Sequence, residues 1–351
     1  MNATIILCGF DSSAGNGLGS EADIQVLKCP SSLDAATASD LNSILVKVDS
    51  ASAAIVFADA NLSRSGISID AILSRFDQVP HLAGLSILPS SSPAEHRAFD
   101  ALPAGIAAFL PAVARRGIVA VRRSATDSTA VGEFQHACDP LRAWLIRAAL
   151  SGHAIEHQWE DFGNDTQFTA SLPSLRPSRP ARAARWVCAA VDQLDESGLV
   201  ENVRSNADAV ALKAGLLQVN DLLHESHEFS QSVQGEGIHA DGDYWHAVMH
   251  RREPDYSNAK YWFRRVDAHP IFPELAQHAT CLLEASSEVA SEWNDRLIRG
   301  GRWDPSAFVD LCQACPRSET DELSRFGRNL QWIEMLLLLR HTYRDAIGDG
   351  K

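Results

Sequence analysis

Gly242-Asp243-Tyr244-Trp245-His246-Ala247-Val248-Met249-His250-Arg251-Arg252-Glu253-Pro254-Asp255-Tyr256-Ser257-Asn258-Ala259-Lys260-Tyr261-Trp262-Phe263-Arg264-Arg265 is the stretch from which the second half of the fold is read. Successive residues of an α-helix turn by about 100°. His246 and His250 then leave one helix on nearly the same side, and Glu253 falls between them. Pro254 biases Glu253 away from helical geometry. Asp255 to Asn258 read as a turn that caps the next helix. Helices are expected over roughly 242–253 and 258–266.

Outward from this stretch the pattern stays helical. A helix over Trp186 to Leu194 and a long one over Ala207 to Val233 are expected before it. After it come Glu274 to Ala285 behind Pro273, Glu288 to Arg299 stopped by Gly300-Gly301, Ser306 to Cys315 behind Asp304-Pro305, and Glu322 to Ala346. No strand alternation interrupts them, so residues 184–351 read as an all-α helical domain. Residues 159–183 carry Pro173, Pro177, Pro180 and several serines and arginines, and read as a linker.

Residues 1–158 have another character. Thr4 to Phe10, Ala53 to Asp59, Ala83 to Leu88 and Gly117 to Val121 are short apolar runs. They alternate with helical patterns at Glu21 to Leu27, Ile67 to Phe76, a stretch with Pro93 in its first turn, and Leu141 to Leu150. That alternation implies an α/β domain with a mostly parallel sheet.

The candidate site lies in the helical half. His246 and His250, with Glu253, offer two imidazoles and a carboxylate to one ion or one substrate. On the expected long helix His227 sits on the face of Leu212, Leu216, Val219 and Leu223, and His224 lies at its edge. Met335 to Leu339 make the last helix buried all round, with Glu334 and His341 bracketing the run. The expected metal set is therefore His224, His227, His246, His250 and Glu334, with His246, His250 and Glu253 catalytic. The cofactor would be a divalent transition metal, and several metals accept such donors. Arg251, Arg252 and Lys260 read as an anion clamp, and Tyr244 and Trp245 as walls of a ligand pocket. The alternative for the same residues is packing: arginines paired with Asp243, Glu253 and Asp255, and tryptophans filling core. Cys312-x-x-Cys315 has no second pair and reads as two ordinary helix cysteines.

Composition limits the partners. The chain has 351 residues, is 45% hydrophobic and 22% charged, and carries a formal net charge of −14. A general nucleic-acid or membrane-surface binder needs clustered cations that this balance lacks. No apolar run is long enough for a transmembrane helix. The short run from Ala3 to Phe10 has no basic residues before it, unlike a secretory signal. Seven scattered cysteines suit reduced thiols, and a cytoplasmic location is expected.

Three resemblances accompany this reading. Asp243 to Arg265 resembles a family of uncharacterised proteins of planctomycete-type bacteria with fungal relatives, which implies no activity. Gly9-Phe10-Asp11-Ser12-Ser13-Ala14-Gly15-Asn16-Gly17 with Ala22-Asp23-Ile24 resembles the opening of hydroxymethylpyrimidine phosphate kinases, without their C-terminal anion hole. Residues 1–125, with Asp11, Asp59, Gly66, Ser86 and Gly105, resemble a receiver domain of response regulators, degenerate because Pro111 and Ala112 stand where its lysine would be. Two functions are expected from this. One is a His/carboxylate, metal-assisted enzyme of the helical half acting on a small anionic molecule. The other is a non-catalytic ligand- or partner-binding protein whose α/β half is a degenerate sensory domain.

Overall fold

A computed structural model describes residues 3–8, 24–29, 37–48, 52–59, 69–89, 99–111, 118–127, 139–160, 172–177, 185–316, 318 and 321–349. The chain forms two compact units. One is built from residues 1–91, 103–166 and 192–199, the other from 92–102, 167–191 and 200–351. Among the described residues no helix is long and apolar enough to cross a membrane.

The first unit is an α/β layer. Strands β1 (Ala3–Cys8), β2 (Ile24–Cys29), β3 (Ala54–Asp59), β4 (Leu82–Pro89), β5 (Ile118–Arg122) and β6 (Ala154–Glu160) form one sheet in the order β2-β1-β3-β5-β4-β6. The β1·β2, β1·β3 and β4·β6 pairs are parallel, whereas β5 is antiparallel to both β3 and β4. The sheet is thus mixed, with five strands pointing one way. The β2-β1-β3 order is that of doubly wound sheets; the insertion of β5 between β3 and β4 is not. Ile55, Val56 and Phe57 on central β3 are fully buried, as expected for a strand covered on both faces. Helices α1 (Ala38–Leu45), α2 (Ile69–Gln78) and α3 (Pro140–Leu150) flank it. Ile72, Leu73 and Phe76 of α2 pack on Val56, Leu85 and Ala120. A side chain at Gly84 would lie 2.6 Å from Leu145 Cδ2, so α3 approaches β4 closely at this glycine.

Two expectations change here. The helix read over Glu21 to Leu27 gives way to β2, which pairs residue for residue with β1 from Ala3↔Ile24 to Cys8↔Cys29. Gln25 fixes its place, accepting from Thr4 Oγ1 at 2.9 Å and donating to the Lys47 carbonyl at 3.0 Å. Strand β6 crosses into the expected linker at Trp159 and Glu160. The rest of the kinase-like opening, with Asp11, and the helix with Pro93 lie outside the described residues.

The second unit is a helical bundle. It comprises α4 (Asn206–Gln218), α5 (Leu223–Ser232), α6 (Asp241–Arg252), α7 (Tyr256–Val266), α8 (Phe272–Glu284), α9 (Ser287–Leu297), α10 (Pro305–Ala314) and α11 (Glu322–Ile347). A two-residue hairpin, Ile298–Arg299 with Arg302–Trp303, turns through Gly300 and Gly301, both at positive φ. The glycines therefore reverse the chain instead of merely stopping a helix. The expected long helix is broken into α4 and α5. Asp221 adopts a left-handed φ of 60°, and the Leu222 N–H bonds Leu217 O at 3.1 Å while the Asp221 N–H bonds Gln218 O at 3.2 Å. This paired closure is a Schellman-type helix end.

Helix α6 is central, and every one of its residues is buried. It packs against α4, α5 and α7. A side chain at Gly215 of α4 would lie 2.6 Å from Trp245 Cζ2 and 2.9 Å from Leu339 Cδ2, so α4 is in close contact with both α6 and α11 there. Residues 172–177, expected as part of a solvated connector, also belong to this core. Leu172 and Leu175 are buried, and the Ser174 carbonyl accepts from Arg252 Nη2 at 2.9 Å and Gln331 Nε2 at 3.2 Å.

Candidate metal centres

A helix with no exposed face that carries Asp241, Asp243, His246, His250, Arg251 and Arg252 must find a partner for each of them. The partners divide this helix into three regions.

At its start, Asp241 is the first helical residue. Asp208 occupies the first turn of α4, where the Ser205 hydroxyl accepts its N–H at 3.3 Å. Helix N-termini favour negative charge. The segment before α6 folds over Asp208. Ile238 N–H donates to Asp208 Oδ2 at 3.0 Å, and Gly237, at φ +90°, leaves no room for a side chain beside that carboxylate. His269, between α7 and α8, donates from Nε2 to Asp241 Oδ1 at 2.7 Å, while the Ile271 N–H lies 3.4 Å from its Nδ1. Both ring nitrogens are engaged, so His269 orients Asp241. One turn of α11 supplies His341 and Asp345. His341 Nδ1 lies 3.3 Å from Asp241 Oδ2 and 3.7 Å from Asp345 Oδ2. His239 Nδ1 donates to Asp345 Oδ2 at 2.6 Å.

These groups form one cluster. His239, His341 and Asp345; Asp241, His269 and His341; and Asp208, Asp241 and Asp345 each have ligand atoms within 4.8 Å of one another. The three carboxylates are fully buried, and among the described residues their ion pairs are with histidines alone. Asp208 Oδ1 and Asp345 Oδ1 have no hydrogen-bond partner. Burial pushes the Asp208 carboxyl up, and the neighbouring charges of Asp241 and Asp345 add to this. Burial acts on Asp241 in the same sense, but the bonds from His269 and His341 hold it well below the usual carboxylate range. His341 is raised: burial opposes its charge, and Asp241, Asp345 and Asp208 outweigh burial. Three buried carboxylates with imidazoles beside them suit a divalent cation. The cluster opens to solvent at His239, whose side chain is 31% exposed.

Farther along α6, His246 and His250 stack at 4.8 Å between centroids and 22° between planes. His227 of α5 meets them edge-on at 4.7 and 5.6 Å. Trp262 covers His246 at 4.1 Å, and Asn258 Nδ2 donates to His250 Nε2 at 3.0 Å. The Nδ1 atoms of His246 and His250 are buried without a hydrogen-bond partner. Burial, reinforced by the other two rings, takes His246 down to about 3. Burial also lowers His250, with His227 adding to it. His246 and His250 are therefore neutral near pH 7, the state in which imidazole binds metals.

Of the residues expected as ligands, His227, His246 and His250 come together. His224 does not: its side chain is 75% exposed and lies 3.6 Å from Glu228, because the break at Asp221 re-aims α5. Nor does Glu334, which is fully buried and held by Arg251 and by the Tyr244 hydroxyl at 3.0 Å. Glu253 caps the end of α6, half-exposed, with Oε2 3.8 Å from His250 Nδ1.

The anion clamp is corrected in the same way. Arg251 is buried, paired in two-pronged fashion with Glu334 and lying 4.4 Å from the Phe308 ring centroid. Arg252 is spent on Asp221, the Ser174 carbonyl at 2.9 Å and the Gln218 carbonyl at 2.6 Å. Lys260 pairs with Asp310 at 2.5 Å. Trp245 Nε1 donates to Thr342 at 3.2 Å, so Tyr244 and Trp245 are core rather than pocket walls. These cations sit on or beside a helix without a solvent face, and each neutralises a carboxylate or a helix end there. Cys312 and Cys315 are free, and burial pushes their thiols up to about 12 and about 11, which leaves them protonated.

Asp208, His239, Asp241, His269 and Asp345 were not singled out from the sequence. The available signals were slight: His239-x-Asp241 ahead of a helix, and Asp345 one turn after His341. Comparison with protein-family models and with curated proteins returns no match to this sequence.

Proposed function

We propose that the helical unit is a divalent-metal-dependent enzyme whose centre is the cluster of Asp208, His239, Asp241, His341 and Asp345. The observation that carries this reading is the set of three fully buried carboxylates with no lysine or arginine among their described partners, two of them with an oxygen left over. A cation among them would offset charge that the protein leaves uncompensated. Asp241, aligned by His269, and Asp208, Asp345 and His341 would be its donors. His239 has a different role. Asp345 accepts its Nδ1–H, which leaves Nε2 as the basic nitrogen on a partly exposed ring. With a cation in the cluster to polarise a water, His239 would be placed to serve as the general base. The reaction class is hydrolytic or lyase-type. The substrate is a small molecule with a carbonyl, carboxylate or phosphoryl oxygen that the cation can hold; Arg251 and Arg252 have no part in it.

Metal analysis tests this directly. The metal-stripped full chain is expected to bind one equivalent of manganese, and Asp241→Asn and Asp345→Asn to lose that binding while staying folded. His239→Gln is expected to keep the ion and lose turnover of ester, amide and phosphoester probes. A chain that binds no manganese, or an Asp241→Asn variant that binds it as the unsubstituted chain does, overturns the proposal. Metal retention with no turnover in wild type would instead favour a binding protein.

A further inference from the structure

We infer that His227, His246 and His250 form a second, separate cation site, built from imidazole nitrogens alone, that takes a late first-row divalent transition ion such as zinc. It goes beyond the His/carboxylate centre and does not depend on it.

Geometry is the first support. Two helices deliver three rings whose ligand nitrogens lie within 4.8 Å of one another. Zinc–imidazole bonds of about 2.0–2.1 Å in a tetrahedron set nitrogens about 3.3 Å apart. The rings therefore need to close by roughly an ångström and a half. His227, on the less buried helix α5, can supply that movement by a rotamer change, whereas His246 and His250 are held by the buried α6.

The second support is what the rings leave undone. His246 is 2% exposed, yet its Nδ1 has no hydrogen-bond partner, and neither has Nδ1 of His250. Mere packing would be served as well by apolar rings and would leave no such atoms. Asn258 adds the outer support usual for a ligating histidine. With its amide turned about, Oδ1 accepts Nε2–H of His250 and leaves Nδ1 as the donor to the metal. The surroundings also differ in kind from the carboxylate cluster. Trp262 stacks on His246, and the nearby carboxylate of Glu253 stands 3.8 Å from His250 Nδ1, in reach as a fourth donor. Three imidazoles favour zinc, copper or nickel over magnesium and calcium, which prefer oxygen. A bound ion would join α5 to α6 beside the break at Asp221.

The test is zinc titration of the metal-stripped full chain against a chromophoric chelator, with manganese binding followed in parallel. Asp241→Asn/Asp345→Asn is expected to keep one equivalent of zinc. His227→Ala and His250→Gln are each expected to weaken that zinc at least tenfold, and to abolish the zinc-dependent rise in melting temperature expected of the double aspartate variant. Neither is expected to alter manganese binding. His227 is only half-buried, so His227→Ala tolerates the change and decides the matter if His250→Gln fails to fold. Loss of all zinc from the double aspartate variant, or an unchanged titration in His227→Ala, overturns the inference. Absence of manganese binding in the unsubstituted chain would count against the carboxylate centre and leave this site standing.

Discussion

Replacing Glu334 by glutamine separates the two roles that Arg251 has on paper. Both side chains are fully buried. Arg251 Nη1 lies 3.2 Å from Glu334 Oε1, Nη2 bonds Oε2, and the Tyr244 hydroxyl bonds Oε1 at 3.0 Å. Glu334→Gln strands a buried guanidinium, and breaking such a pair from one side costs about 3–5 kcal/mol. Arg251→Met strands the carboxylate at a similar cost. Arg251→Met/Glu334→Met removes both charges and leaves only the Tyr244 hydroxyl without its acceptor, a loss of about 1–3 kcal/mol. The double variant is thus expected to be more stable than either single one. Urea unfolding followed by tryptophan fluorescence is the assay. With a slope of about 2–3 kcal/mol/M, each single variant should move the midpoint down by roughly 1–2.5 M. Single variants costing under about 1 kcal/mol, or costs that simply add in the double variant, would refute the buried-pair reasoning and return Arg251 to the ligand-clamp role.

Acid should destabilise the metal-free protein through His246. Its folded value, about 3, lies below the unfolded value of about 6.5, so the unfolded chain binds the extra proton between them. Stability is therefore lost as pH falls from about 6.5 towards 3, and urea midpoints across that window should flatten in His246→Gln. Gly215→Ala puts a methyl 2.6 Å from Trp245 Cζ2 and is expected to cost about 1–3 kcal/mol by overpacking; a melting temperature unchanged from wild type would mean that α4 and α6 can separate freely. His224→Ala, at an exposed side chain, should leave zinc affinity and stability alike unchanged, and a tenfold loss of zinc would return His224 to the metal set.

The helical half was legible because amphipathic spacing, the proline turn at Pro254 and the Asp304-Pro305 start are all local signals, and each is realised within a residue or two. The α/β half was legible for the same reason at β3, α2, β4, β5 and α3. Long-range pairing was not. Ile24–Cys29 has a pattern short enough to read either way, and only its register with β1 makes it a strand. At the break, the Asp221 carboxylate pairs with Arg252, a residue distant in sequence.

The candidate sites divide along the same line. His246 and His250 belong together from spacing alone, because one turn of a helix brings them to one side whatever surrounds it. That His227 joins them while His224 faces solvent follows from how α5 leaves α4. The carboxylate cluster draws Asp208, His239, Asp241, His269, His341 and Asp345 from segments scattered between residues 208 and 345. Apart from the neighbours His239 and Asp241 and the one-turn pair His341 and Asp345, nothing local relates them. Their charges matter to one another only because packing around α6 removes the water that would otherwise screen them, and that removal is a property of the closed bundle, not of any stretch of chain.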